Sequence, residues 1–223
     1  MASNRKIVFT NGVIYHVFNR GVERRTIFTN RREFIRAQQL IKFYRHKETP
    51  IRYSQVMQQP EDIREVILDN LYKSEKLIDI LSYCLMPNHF HFLLKQKTDN
   101  GIPTFVSNFT NAYAKYFNTK NQRVGPLVQG AFKAVMIESE EQLMHVSRYI
   151  HLNPVASNII KIGQLNDYEW SSYPEYIDLS NENISEKKLI LELFKSVKDY
   201  QEFVMNQVEY AKKLDMIKHL TLE

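Results

Sequence analysis

Three observations predict an α+β fold in which a central antiparallel sheet is flanked by helices. Segments 76–85 and 89–95 flank the tight turn Met86-Pro87-Asn88, and the second alternates as a strand does. Strand-like and helical stretches interleave along the chain, and a strand pair adjacent in sequence favours an antiparallel sheet over a doubly wound parallel one. The 223 residues, 43% hydrophobic with six Gly and seven Pro, are enough for one core domain and an extension.

The elements follow in chain order. Residues 13–18 are β-branched and aromatic and run into Asn19-Arg20-Gly21, a turn signal. Asn30 is placed to cap a helix with Glu33 at the capping-box position, and Phe34, Ala37, Leu40, Ile41 and Tyr44 then recur at helical spacing. Segment 46–76 is polar, contains Pro50 and Pro60, and reads as an insertion with a short helix near 61–71. Residues 103–118 form a helix with Pro at its start and an aromatic face of Phe105, Phe109, Tyr113 and Tyr116. A turn at Gly125 leads to a strand from about residue 131. Ser139, with Gln142 three residues on, caps a helix over 140–153 that is expected to stop before Pro154. Residues 155–179 are loop-like and aromatic. Beyond them Leu189, Leu193, Phe194, Val197, Phe203, Val204 and Val208 suggest two short amphipathic helices. The chain thus divides into a domain over 1–179 and a helical extension over 180–223.

Composition removes several classes. A single cysteine, Cys84, excludes an intramolecular disulfide and a Cys-rich zinc site. No apolar run approaches a membrane span, and the N-terminus lacks the pattern of a secretory signal, so a cytoplasmic protein is expected. GxxxxGK[ST], GxGxxG and HExxH are all absent. The net charge is +5, but residues 1–47 hold eleven Lys/Arg against Glu23 and Glu33, so the rest of the chain is net acidic. That asymmetry points to a polyanion, nucleic acid first, with a solvated helix face as the equal alternative on charge alone.

Two motifs bear on chemistry. In His89-Phe90-His91 on a strand, both imidazoles project to one face, which is half of a divalent-metal site. By itself the pair is also what two half-exposed residues of an alternating strand look like. In Arg148-Tyr149-Ile150-His151-Leu152-Asn153-Pro154, Tyr149 and Asn153 lie four apart on one helical face. If that face meets the histidines, the Asn153 amide oxygen becomes a third ligand and the Tyr149 hydroxyl stands one turn away. Otherwise Tyr149 is core and Asn153 a cap. A phenol is a weak nucleophile at neutral pH, so a metal-polarised phosphate and a cation such as Arg148 would have to assist it. A His/His/amide set without Cys favours Mg²⁺ or Mn²⁺ over structural zinc. His145, four residues before Tyr149, is placed to share its face as a general base or supporting group, with a surface histidine as the preferred reading; His16 in the first strand is placed near the same sheet surface, with a structural role by default.

With these motifs the sequence resembles the single-tyrosine HUH transposases, in particular the REP-associated tyrosine transposase branch. The resemblance is carried by Tyr15-His16-Val17-Phe18-Asn19-Arg20-Gly21, Ile27-Phe28, Cys84 through Leu94 with Met86-Pro87-Asn88-His89-Phe90-His91 at its centre, Gly125 through Lys133, Arg148 through Pro154, and Tyr168-Glu169-Trp170-Ser171-Ser172-Tyr173. These segments stand in the family's order across about residues 13–176. The resemblance implies a ferredoxin/RRM-like nuclease domain in which His89, His91 and Asn153 bind the metal and Tyr149 is the nucleophile. It implies cleavage of single-stranded DNA at a hairpin through a 5′-phosphotyrosine link, resealed by a 3′-hydroxyl without ATP. Arg20, Arg24, Arg25, Lys133 and Arg148 are the expected DNA contacts, and exposed aromatics would stack on unpaired bases. Two departures stand out: the 46–76 segment is long, and Ala131 precedes Phe132 where an Arg is frequent. Three readings stay open: the strand transferase, a non-catalytic hairpin binder, and a phosphodiesterase that uses water. The family expectation covers both a monomer and a homodimer.

Overall fold

The computed structural model describes residues 7–206. Arg5 and Lys6 of the basic block, and Val208 with the rest of the extension, lie outside these residues. Four strands, β1 (Ile14–Arg20), β2 (Ile78–Met86), β3 (His89–Gln96) and β4 (Lys133–Met136), form one sheet in the order β2-β3-β1-β4. Every pairing is antiparallel. β2 and β3 are joined through Pro87 and Asn88, with Met86 opposite His89. The register shifts between Ile80 and Ser82, so that Leu81 and Ser82 both serve the same side before Tyr83 returns to the other.

Helices cover both faces. On one lie α1 (Arg31–Tyr44) and α4 (Gly101–Lys120), packed over Phe90, Phe92, Tyr15 and Val17. On the other lies α5 (Glu140–Ala156), over Leu81, Cys84, Met86 and Leu93. The odd–even split of β3, Phe90/Phe92/Leu94 against His91/Leu93, is the period-2 geometry of a strand buried on both faces. The 46–76 segment forms α2 (Tyr53–Val56) and α3 (Glu61–Lys73), and its Tyr53, Val56 and Leu71 join the α1/α4 core. Further on come a 3-10 stretch at Ile162–Asp167, α6 (Tyr173–Tyr176), α7 (Lys188–Leu191) and α8 (Val197–Met205). Ile190, Tyr200 and Val204 are buried in the α5-side core. The Tyr200 hydroxyl lies 2.7 Å from Ser147 Oγ and 2.8 Å from His151 Nδ1 and so ties α8 to α5. Among the described residues no helix is long and apolar enough to cross a membrane.

The capping signals are realised. Asn30 accepts from Glu33 N, and Ser139 accepts from Gln142 N. The expected stop before Pro154 is corrected: α5 runs on to Ala156 with Pro154 inside it. A proline in the last turn removes one donor but keeps its acceptor, and Pro154 O takes Ile159 N at 2.9 Å.

A close backbone approach fixes the loop after β1. A Cβ on Gly21 would stand 2.3 Å from Arg25 O and 2.9 Å from Ile27 Cγ2. Gly21 N also donates to Asn88 O at 2.7 Å, so this loop and the β2–β3 turn are one unit. Gly21→Ala is expected to lower the unfolding free energy by about 2 kcal/mol, measured by urea denaturation. Unchanged stability would show that the loop yields freely.

Candidate active site

The sheet register and the docking of α5 bring the two sequence motifs together. His91 is opposite Phe18, and His89 is opposite Arg20, at the end of β1. Tyr149 and Asn153, one helical turn apart on α5, both face this end of the sheet. The Tyr149 ring meets His91 edge-on at 5.5 Å between centroids and His16 at 5.9 Å. Asn153 Oδ1 lies 3.2 Å from His89 Nε2.

The hydrogen-bond network decides which imidazole nitrogens carry lone pairs. Asn88 Nδ2 donates to Arg24 O at 3.3 Å, which orients its amide so that Oδ1 accepts from His89 Nδ1 at 2.6 Å. With its proton on Nδ1, a neutral His89 turns the Nε2 lone pair toward the Asn153 oxygen. Two acceptors at 3.2 Å make a poor hydrogen bond and a good pair of ligands for one cation. His91 is fully buried; its Nδ1 lies 3.0 Å from His16 Nε2, while its Nε2 is buried without a hydrogen-bond partner. An orphaned ring nitrogen beside two other aligned donors is what a metal site requires. The loop that orients Asn88 is strained, with Glu23 and Arg24 at φ 56° and 59°.

Electrostatics agree. Burial lowers the pKa of His91 far below the usual imidazole range, and His16 and His89 add to this. Burial also lowers His89, helped by Arg20 and opposed by the Asn153 contact. Both rings are therefore neutral at physiological pH, the form that ligates metals. Among the described residues no cluster of three His, Cys, Asp or Glu is arranged to hold an ion, and the oxygen beside the His89 ring is the amide oxygen of Asn153. This donor chemistry fits a hard or borderline divalent cation with open positions filled by water and substrate.

The cationic residues divide. Arg20 is half-buried beside His89, with Nε donating to Gln129 Oε1 at 2.8 Å. The bridge between Gly21 and Val128 lays the Gly125–Lys133 segment along this end of β1. Arg24 and Lys133 are exposed, and Arg25 pairs with Glu23 at 3.3 Å. Arg148 is a correction. It is fully buried, its guanidinium carbon is 4.1 Å from the Phe203 ring centre, and it donates to Phe203 O at 3.1 Å. One residue before Tyr149 on α5 means about 100° of rotation, which turns Arg148 to α8 and away from the histidines. Its His145 contact, at 2.9 Å, places that histidine on the same side. Arg148→Ala is accordingly expected to cost about 3 kcal/mol in urea unfolding while leaving DNA affinity unchanged. A selective loss of DNA binding would restore it as a contact.

The sequence placed His16 near this sheet surface with only a structural role, and read Asn88 only as part of a turn. The signal for His16 was its odd-numbered offset from Tyr15 and Val17: those two face the α1/α4 core, so His16 faces α5. Tyr113 and Tyr116, the other phenols with a claim to be nucleophiles, sit on α4 across the sheet. Burial raises the Tyr113 pKa, and its hydroxyl donates to Ile27 O at 2.5 Å.

Residues 9–153 match the family described as "Transposase IS200 like". A solved structure of a REP-associated tyrosine transposase bound to a REP hairpin is similar in fold, with a TM-score of 0.52 and 14% identity over 83% of this chain and 98% of that one. A second structure, a transposase described as putative from Deinococcus radiodurans, is 16% identical over 67% of this chain and 95% of that one, at a TM-score of 0.34. No curated protein gives a significant match. A family match that spans well over half the chain, and that runs from before β1 to Asn153 itself, makes this protein a member of the IS200-like transposase family.

Proposed function

We propose that this chain is a metal-dependent single-stranded DNA endonuclease and strand transferase of the REP-associated branch, acting at hairpins through a 5′-phosphotyrosine intermediate. The observation that carries the proposal is the meeting of His89 Nε2, the orphaned His91 Nε2, Asn153 Oδ1 and the Tyr149 ring at one end of the sheet. The hairpin bound to the structural neighbour supports the choice of DNA form.

His89, His91 and Asn153 would hold Mg²⁺ or Mn²⁺. Bound there, the cation supplies stabilisation of the negative charge that develops on a phosphodiester under attack. The rest belongs to the protein. Tyr149 Oη attacks phosphorus, the phenolic proton leaves, a P–O bond to tyrosine forms, and the bond to the 3′ oxygen breaks. That oxygen departs as a 3′-hydroxyl after taking up a proton. The reverse attack by a 3′-hydroxyl reseals the strand, because the phosphodiester energy is retained in the tyrosyl link. Arg20, Arg24, Arg25 and Lys133 hold backbone phosphates around the same end of the sheet.

The test is covalent trapping. Protein is incubated with labelled single-stranded DNA carrying the inverted repeats beside its gene, with Mn²⁺ or with EDTA, and run on a denaturing gel. A shifted band that EDTA abolishes is expected. Tight hairpin binding without any adduct would move the assignment to a non-catalytic hairpin binder.

A further inference from the structure

Across the sheet from the histidines, α1, the 49–57 segment and α4 enclose a groove of about 1110 Å³. Its charge is one-sided. Arg36, Arg52, Lys115 and Lys120 line it, and no carboxylate does. Buried Glu33 takes Lys120 at 2.8 Å, whereas Arg36, Arg52 and Lys115 pair with no carboxylate among the described residues. Elsewhere on α1 and α3, Arg31, Lys42 and Arg64 do have acidic partners.

The aromatic content is as specific as the charge. The Arg36 guanidinium carbon lies 5.0 Å from the Tyr53 ring centre and 5.1 Å from that of Tyr116. Stacking between two rings positions the guanidinium without neutralising it. Tyr116 stays half-exposed, and Asn108 and Asn111 share the α4 face of Lys115 at helical spacing. Unpaired, positioned cations suit phosphates; a half-exposed ring suits an unstacked base; amides suit base edges. A duplex would offer this groove only its backbone, and an acidic protein surface would leave the ring and amides without a role.

We propose that the groove binds a single-stranded segment of DNA, with backbone phosphates on Arg36, Arg52 and Lys115 and a base against Tyr116. This rests on the DNA reading above and extends it to a second surface, on the face away from the catalytic tyrosine. It also gives the 46–76 insertion a function, since Arg52 and Tyr53 belong to it. The arrangement lets one strand beside a hairpin be gripped apart from the point of cleavage.

The probe is a fluorescein-labelled DNA hairpin with a short stem, made with and without a single-stranded thymidine tail. Anisotropy titrations compare the wild-type chain with an Arg52→Glu/Lys115→Glu variant. Both side chains are exposed, and thermal melting confirms that the variant folds. The variant is expected to bind the tailed hairpin about 10-fold or more weakly and the tailless one unchanged. Its log–log salt slope on the tailed probe should be shallower by about 1.4, roughly 0.7 for each lost single-strand phosphate contact. Equal affinity of variant and wild type for the tailed hairpin overturns the proposal and leaves the groove to an acidic protein surface. Equal weakening on both probes also overturns it, since that is a general charge effect. Wild-type protein that binds neither hairpin overturns the DNA reading instead.

Discussion

The Tyr149→Phe protein is expected to form no covalent complex with DNA, a loss on the order of 10⁴-fold or more, while binding hairpins as the wild type does. Removing one oxygen removes the only atom that can make the tyrosyl–phosphorus bond. The ring remains, and it is the ring that packs against His91 and His16 and joins Leu143, Val146 and Ile150 in the α5-side core. Folding should therefore survive, and circular dichroism melting checks it. Denaturing gels with labelled single-stranded DNA and Mn²⁺ read the adduct. An adduct that persists would put the nucleophile elsewhere. Cleavage that continues with no adduct would favour water as the attacking group, and then the phenol would have no covalent role.

His91→Ala should reduce Mn²⁺ affinity by about 100-fold or more, read from the spectrum of free Mn²⁺ in electron paramagnetic resonance titrations. The geometric reason is that His91 Nε2 is buried beside Tyr149 with no hydrogen-bond partner among the described residues. Because His91 is fully buried, an alanine there leaves a cavity, and loss of metal in this variant alone does not separate ligation from a disturbed core. His16→Phe separates the two effects. It keeps His89, His91 and Asn153 and an aromatic ring at residue 16, but deletes the ring nitrogen that lies 3.0 Å from His91 Nδ1. Without that partner nothing holds the His91 proton on Nδ1, and a proton on Nε2 would block the lone pair that the proposed metal takes. Mn²⁺ affinity is expected to fall by about 10-fold to 100-fold in this variant. Unchanged affinity in both variants would remove the metal from the site.

Much of the fold was legible because its signals are local. The strand pair around Pro87-Asn88, the caps Asn30 and Ser139, and the aromatic face of α4 all depend on residues within a few positions of one another. Helix α5 showed the limit of such signals. Pro154 carries a genuine local preference against the helix, yet Pro154 is buried and its carbonyl is satisfied by Ile159, so packing overrode the preference by one turn. Arg148 showed a second limit. A cation next to Tyr149 in sequence points about 100° away from it in a helix, and what lies there is Phe203, from a segment whose composition says nothing of α5.

The candidate site divides in the same manner. That His89 and His91 share a face, and that Tyr149 and Asn153 share another, follows from the strand period of two and the helical turn of 3.6 residues; the sequence determined both by itself. That these two faces meet, with His89 and Asn153 in contact across 64 positions, was decided by the docking of α5 on β2 and β3. The roles of His16, 75 positions from His91, and of Asn88, turned by the carbonyl of Arg24, were decided there too. Local periodicity sets where a side chain points, but a buried imidazole's proton is placed by whichever partner the tertiary register brings within 3 Å, and no spacing along the chain encodes that distance.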